Sequence, residues 1–213
     1  MVNKKQNKNF WIILSVLICI ALIFVIGYGI KLYLNNTYYN YNTKNGEYKM
    51  GASKVGDVVF YHITVADDLN KQYTYSFRNH PKDLEDIYLE PSIVSQLNRP
   101  EGIRKLYVTQ DPELANMTET DSVLGIVSFE QILTGNFGMY NLDLSNVYTV
   151  NYLNYITPVT CANVNDTTAV IYVKVGDETK IYSDNGCIII EGRGGSGVLR
   201  ASEKFAYSLL GVF

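Results

Sequence analysis

Gly192-Arg193-Gly194-Gly195-Ser196-Gly197 spells G-x-G-x-x-G between an apolar run, Cys187-Ile188-Ile189-Ile190-Glu191, and a helical pattern. In that setting glycine amides and a helix N-terminus can cradle a phosphate. A dinucleotide site also needs an acidic residue about 20 positions on to hold a ribose, and a second strand. Neither pattern follows before Phe213. The run is therefore expected to be a glycine turn, with an anion contact at Arg193 and the helix start as the alternative. No cofactor is expected.

Arg78-Asn79-His80-Pro81 gathers hydrogen-bond donors at a strand-to-helix junction. It is the best polar cluster for a ligand, and a capped turn accounts for the same residues. The only histidines are His62 and His80, and no Gly-x-Ser-x-Gly elbow occurs. Nucleophilic catalysis needs a base beside its nucleophile, so these supply no triad. Asp83 with Asp86, or Glu85 with Glu90, could flank a glycosidic bond, but acids so spaced are commonly an exposed helix face. No catalytic residue is assigned. Cys-x-x-Cys and His-x-x-x-His spacings are absent, so no metal site is assigned either.

These groups must be positioned by elements, and the first is Phe10 to Leu34. No residue from Trp11 to Ile30 is charged. Crossing a bilayer takes about 20 such residues in a helix. Lys4, Lys5 and Lys8 precede the span, which places the N-terminus in the cytoplasm and the remainder outside. A cleaved signal peptide is the rival reading, although its apolar region is usually shorter. The expected organisation is a basic tail at 1–9, the span at 10–34, a tether at 35–54 and an extracytoplasmic domain at 55–213.

Beyond residue 35 stand 14 cations against 21 acids, a poor balance for nucleic acid. The expected partners are the lipid bilayer, through residues 10–34, and an envelope protein. Cys19 lies in the span. Cys161 and Cys187 lie outside it, where an oxidising compartment favours their pairing; two free thiols or a metal pair are the alternatives. Asn116 and Asn165 each open an Asn-x-Thr glycosylation triplet, as does Asn35 beside the membrane.

The domain reads as α/β (α+β), a mixed β-sheet packed with two to three helices. Strands are expected at 55–65, 72–78, 103–109, 147–153, 169–175, 178–182 and 187–191, from β-branched and aromatic alternation. The first two should form an antiparallel hairpin, with His62 a hydrogen-bonded mid-strand residue. A short helix capped by Asn79 or His80 should follow Pro81, and a loop should run from Asp111 to Asn116. A helix from Val123 with its stop at Gly135 should cross between parallel strands. Residues 178–182 should return along 169–175, and Asp184-Asn185-Gly186 should turn into 187–191. Ser196 to Leu210 should pack an apolar stripe on the sheet.

The outer chain resembles uncharacterised single-pass membrane proteins from archaea. The likeness lies in the order of an N-terminal span, Phe77-Arg78-Asn79-His80-Pro81, Leu106-Tyr107-Val108-Thr109-Gln110-Asp111-Pro112, Thr160-Cys161, Gly186-Cys187-Ile188-Ile189-Ile190-Glu191-Gly192 and a closing Leu209-Leu210-Gly211-Val212. In that group the two cysteines look like a disulfide pair. His80 stands where an acid is expected, and Gly194 to Gly197 replaces a more polar loop. The resemblance implies no activity. The expected function is a membrane-anchored, non-enzymatic binding or envelope-assembly module. The alternatives are an envelope hydrolase with unrecognised carboxylates and a pilin-like filament subunit.

Overall fold

The computed structural model describes residues 4–35, 37–67, 69–97, 102–116, 120–134, 138–151 and 157–213. The chain opens with α1 (Lys4–Asn35), a continuous helix. Its stretch Ile13–Ile30 is apolar, long enough to cross a membrane, and nowhere buried against the rest of the chain.

The next segment corrects the expected tether. Residues 37–54 are paired as β1 (Thr37–Thr43) and most of β2 (Gly46–Val55). Their inward positions are aromatic or apolar at period two: Tyr41 and Met50 are buried, with Tyr39 and Tyr48 packed beside them. Asparagine and lysine fill the alternate places, which hid the period. Gly56, at φ +63°, then turns the chain into β3 (Val58–Ala66), so the strand expected over 55–65 starts at Val58, and Val55 ends β2. β4 (Gln72–Phe77) completes an antiparallel meander β1-β2-β3-β4. The expected β3–β4 hairpin is present, and His62 bridges Ser53 and Ser76 on its outer face, at 2.5 and 2.8 Å.

The second sheet has the order β5-β9-β10-β8-β6-β7. Its strands are β5 (Tyr88–Leu89), β6 (Lys105–Gln110), β7 (Leu144–Tyr148), β8 (Thr168–Val175), β9 (Lys180–Asp184) and β10 (Cys187–Gly192). β6 and β7 are parallel, joined through α2 (Pro112–Asn116) and α3 (Thr120–Leu133). α2 occupies the expected 111–116 loop; Pro112 suits a first helical position and Glu113 the positive helix end. β7 starts three residues before the expected 147 and ends at Tyr148, so residues 149–151 are not strand. The expected helix stop at Gly135 and strand residues 152–153 lie outside the described residues.

Residues 180–184 do not return along β8. β10 inserts between them, parallel to β8 and antiparallel to β9. Composition explains the insertion: every residue of β10 is buried. A strand apolar on both faces belongs in a sheet interior. The Asn185-Gly186 turn, both residues at positive φ, joins β9 to β10 as expected.

α4 (Gly194–Leu209) lies between the two sheets. It packs on β8, β9 and β10, while its Tyr207 ring meets Phe77 of the first sheet at 4.2 Å. The expected one-sided stripe is thus a helix buried almost all round, including Ser202, Glu203, Lys204 and Ser208. α3 lies against α4 with Gly125 at the contact; a Cβ there would stand 2.9 Å from the Leu199 Cα. One core spans both sheets and both helices.

The opposite face of the second sheet has its own small core of Val147, Val159, Val170, Cys187 and Ile189. It is covered by a strap around residues 157–164, pinned by the disulfide Cys161–Cys187. Thr109 also donates to the Val159 carbonyl, at 2.7 Å. Closing a loop of 26 residues stabilises by about 3–4 kcal/mol on the chain-entropy model. Cys161→Ser, or reduction, is expected to cost that amount, read as a lower urea midpoint.

Candidate functional site

The junction after β4 is held from α4. Past Phe77 the backbone leaves the ladder, and its amides need other acceptors. Glu203 supplies them. Its Oε1 accepts from Arg78 N at 2.6 Å, and its Oε2 from Asn79 N at 2.9 Å and Asn79 Nδ2 at 2.7 Å. The same helix continues the clamp at successive turns. Arg200 donates to the Asp83 carbonyl and to Asp86, Lys204 to the Leu84 carbonyl, and Tyr207 to the Asn79 carbonyl. Glu203 is 1% exposed. Burial raises its carboxyl above the usual range, against the three N–H donors, which favour the charged form. Burial lowers Lys204 for the same reason.

His80 caps the short helical turn Pro81–Leu84, its Nδ1 accepting from Lys82 N at 3.0 Å. Three tyrosine rings surround the imidazole: Tyr39 stacked at 5.7 Å, with Tyr41 and Tyr61 edge-on at 5.4 and 5.2 Å. Burial lowers its pKa, opposed by Asp83 and Glu85 and reinforced by Lys82. The guanidinium of Arg78 lies on the outer face of the first sheet, 5.6 Å from the Phe60 ring. Arg78, Asn79 and His80 are therefore neighbours, as their spacing required. Both backbone amides and the Asn79 side chain engage Glu203, while the His80 ring serves the turn. Glu203 was not legible beforehand. Its only signal is an adjacent charged pair, Glu203-Lys204, in a closing helix whose one other charge is Arg200.

Arg193 stands apart, at the opposite end of α4. It is the N-cap residue but makes no side-chain cap. Its Nε and Nη2 both donate to the Asp177 carbonyl, at 3.0 and 2.7 Å. Beside it lies a cavity of about 770 Å³ lined by Asp86, Asp177, Thr179, Arg193, Ser196 and Arg200. Gly192 and Gly197 serve close packing, while Gly194 stands in open space at φ +65°. A Cβ on Gly192 would fall onto the backbone of Gly197 and Val198, so glycine lets α4 sit directly on β10.

A second polar cluster, a row, carries no sequence motif. It crosses the strap side of the second sheet, toward the carboxyl ends of its parallel strands. Asp111 follows β6 and accepts from Thr149 Oγ1 at 2.8 Å and from Tyr172 OH at 2.6 Å. Two strands along, Glu191 pairs with Lys174 at 3.1 Å and accepts from Tyr182 OH. Burial works to raise Glu191, but the Lys174 bond and charge win, and its pKa is lowered. Carboxyl ends of parallel strands are the usual place for a ligand crevice. The residues come from five separate segments, so no motif announces them.

Glu130 and Glu203 are the described carboxyls that burial raises. They sit on α3 and α4, and neither lines the cavities beside Arg193, beside Tyr107, or between Tyr41 and Phe213. No group of three or more His, Cys, Asp or Glu is arranged to hold a metal among the described residues. Asn165 is exposed, and its Oδ1 accepts from Thr167 N and Thr168 N in a turn. Asn116 closes α2, and its side chain lies outside the described residues.

Fold and site together define an α+β domain of two sheets around a buried helix, carrying an apolar N-terminal helix and one disulfide. No protein-family model, curated protein or solved structure matches the chain.

Proposed function

We propose that the chain is a single-pass membrane protein, of the kind it resembles in archaea, holding its α+β domain outside the cell as a non-enzymatic binding or envelope-assembly module. The observation that carries the reading is the uncovered apolar helix. Ile13–Ile30 is not buried against any of the described residues, and lipid is the solvent that such a surface requires. The disulfide supports an oxidising side for the domain. The preceding lysines support a cytoplasmic N-terminus. The binding role draws on the internal consumption of the ionisable groups: the junction serves folding, and Asp111 and Glu191 are held by their own neighbours.

The test is cross-linking in intact cells, followed by detergent extraction and size analysis. A discrete complex, lost when residues on the domain surface are changed, is the expected result. A lone monomer under a broad set of linkers and growth conditions would remove the binding role.

A further inference from the structure

The β2–β3 hairpin tip, Lys54-Val55-Gly56-Asp57-Val58-Val59, is placed where the membrane surface must be if α1 crosses it. α1 ends at Asn35 and β1 begins at Thr37. Two Cα steps hold Thr37 within about 8 Å of the helix end. Thr37 is level with Ala52 of β2 in the sheet register. β2 then runs three residues past that point, to Val55, before the chain turns. The overhang is about 10 Å at strand rise. It extends on the side from which β1 departs, and β2 touches α1.

The overhang has the wrong surface for water. Val55 is 66% exposed on the outer face, and Val59, 37% exposed, lies on the inner face opposite Lys54. Val55 pairs with Val58 and Ser53 with Phe60, so Val55, Val58 and Phe60 share the outer face of the sheet. Two cations stand at the tip: Lys54, exposed on its inner face, and Arg78, whose guanidinium lies over the Phe60 ring on the outer face. Asp57 is the one acid in the tip. Apolar side chains beside long cationic ones fit a layer that is hydrocarbon below and phosphate above.

The geometry points to lipid as the occupant: the tip seats in the headgroup layer of the bilayer that α1 crosses. Its valines reach the acyl boundary, and Lys54 and Arg78 face lipid phosphates. The domain is thereby held at the membrane by two contacts, with its first sheet upright. The inference rests on the single-pass reading above.

The experiment uses the full chain in vesicles of zwitterionic and anionic phospholipid. An environment-sensitive fluorophore is attached at Val55→Cys or at Leu69→Cys, both in a Cys19→Ala background with the disulfide intact. Leu69 is 88% exposed and lies past the far end of β3, a nine-residue strand. The wild-type chain, labelled at Cys19, reports on the span. Nitroxide lipids labelled at the headgroup or in the acyl chain serve as quenchers. The expected result is headgroup quenching at Val55→Cys, none at Leu69→Cys, and acyl-chain quenching at Cys19. Quenching at Cys19 but not at Val55→Cys would overturn the tip contact and leave the span intact. Equal quenching at Val55→Cys and Leu69→Cys would overturn it too, because the domain would then lie flat. An unquenched Cys19 label would overturn the span and the tip contact together.

Discussion

Glu203→Ala lowers the unfolding free energy by about 3–5 kcal/mol, the scale of removing a buried charged partner. The carboxylate is the acceptor for Arg78 N, Asn79 N and Asn79 Nδ2. Alanine removes the acceptor for all three donors at once. A domain of this size typically has about 5–15 kcal/mol in total, so the variant should lose much of its urea midpoint. Glu203→Gln keeps the shape and one acceptor oxygen, and should cost less. The two proteins should also differ in pH dependence. The folded Glu203 pKa is raised above its unfolded value. The stability this contributes is present below the unfolded pKa, about 4.3 for glutamate, and is lost as the pH rises through the folded value. Relative to Glu203→Gln, the wild type should therefore lose ground as the pH climbs out of the acid range. A difference that is flat with pH would mean that Glu203 titrates as it does in water.

Gly192→Ala should be the most damaging change in the glycine turn, costing at least about 3 kcal/mol by overpacking. The added Cβ meets the backbone of Gly197 and Val198, which cannot rotate aside. Relief requires α4 to lift from β10, and α4 is the layer on which both sheets pack. Gly194→Ala is the informative comparison. Gly194 sits at φ +65° with open space around its Cβ position, so the change should cost about 1–2 kcal/mol, the left-handed penalty alone. Thermal unfolding of both variants separates close packing from backbone conformation. Equal effects would show that helix-to-strand proximity is not what Gly192 provides.

The sequence revealed local features and missed distant ones. β4, β8 and β10 were legible because β-branched and aromatic residues recur there. The Asn185-Gly186 turn was legible because both residues accept positive φ. β1 and β2 were not, because tyrosine carried the inward positions and asparagine diluted the pattern around it. The pairing of β8 with β10 also escaped notice. Neighbours in sequence suggested a β8–β9 hairpin, while the buried character of β10 on both faces decided otherwise. The junction at Arg78-Asn79-His80 stood out because its residues are contiguous. Its meaning depended on Glu203, which lies 124 residues further on from Asn79. The Asp111 and Glu191 row likewise gathers residues that share no local pattern.

The placement of the domain is tested most directly on intact cells. An epitope with a protease site between it and Phe213 is appended to the chain, and protease is added outside before and after lysis. Loss of the epitope from unbroken cells is the expected result, with α1 remaining in the membrane fraction. Survival in unbroken cells and loss only on lysis would put the domain on the cytoplasmic side and contradict the reading.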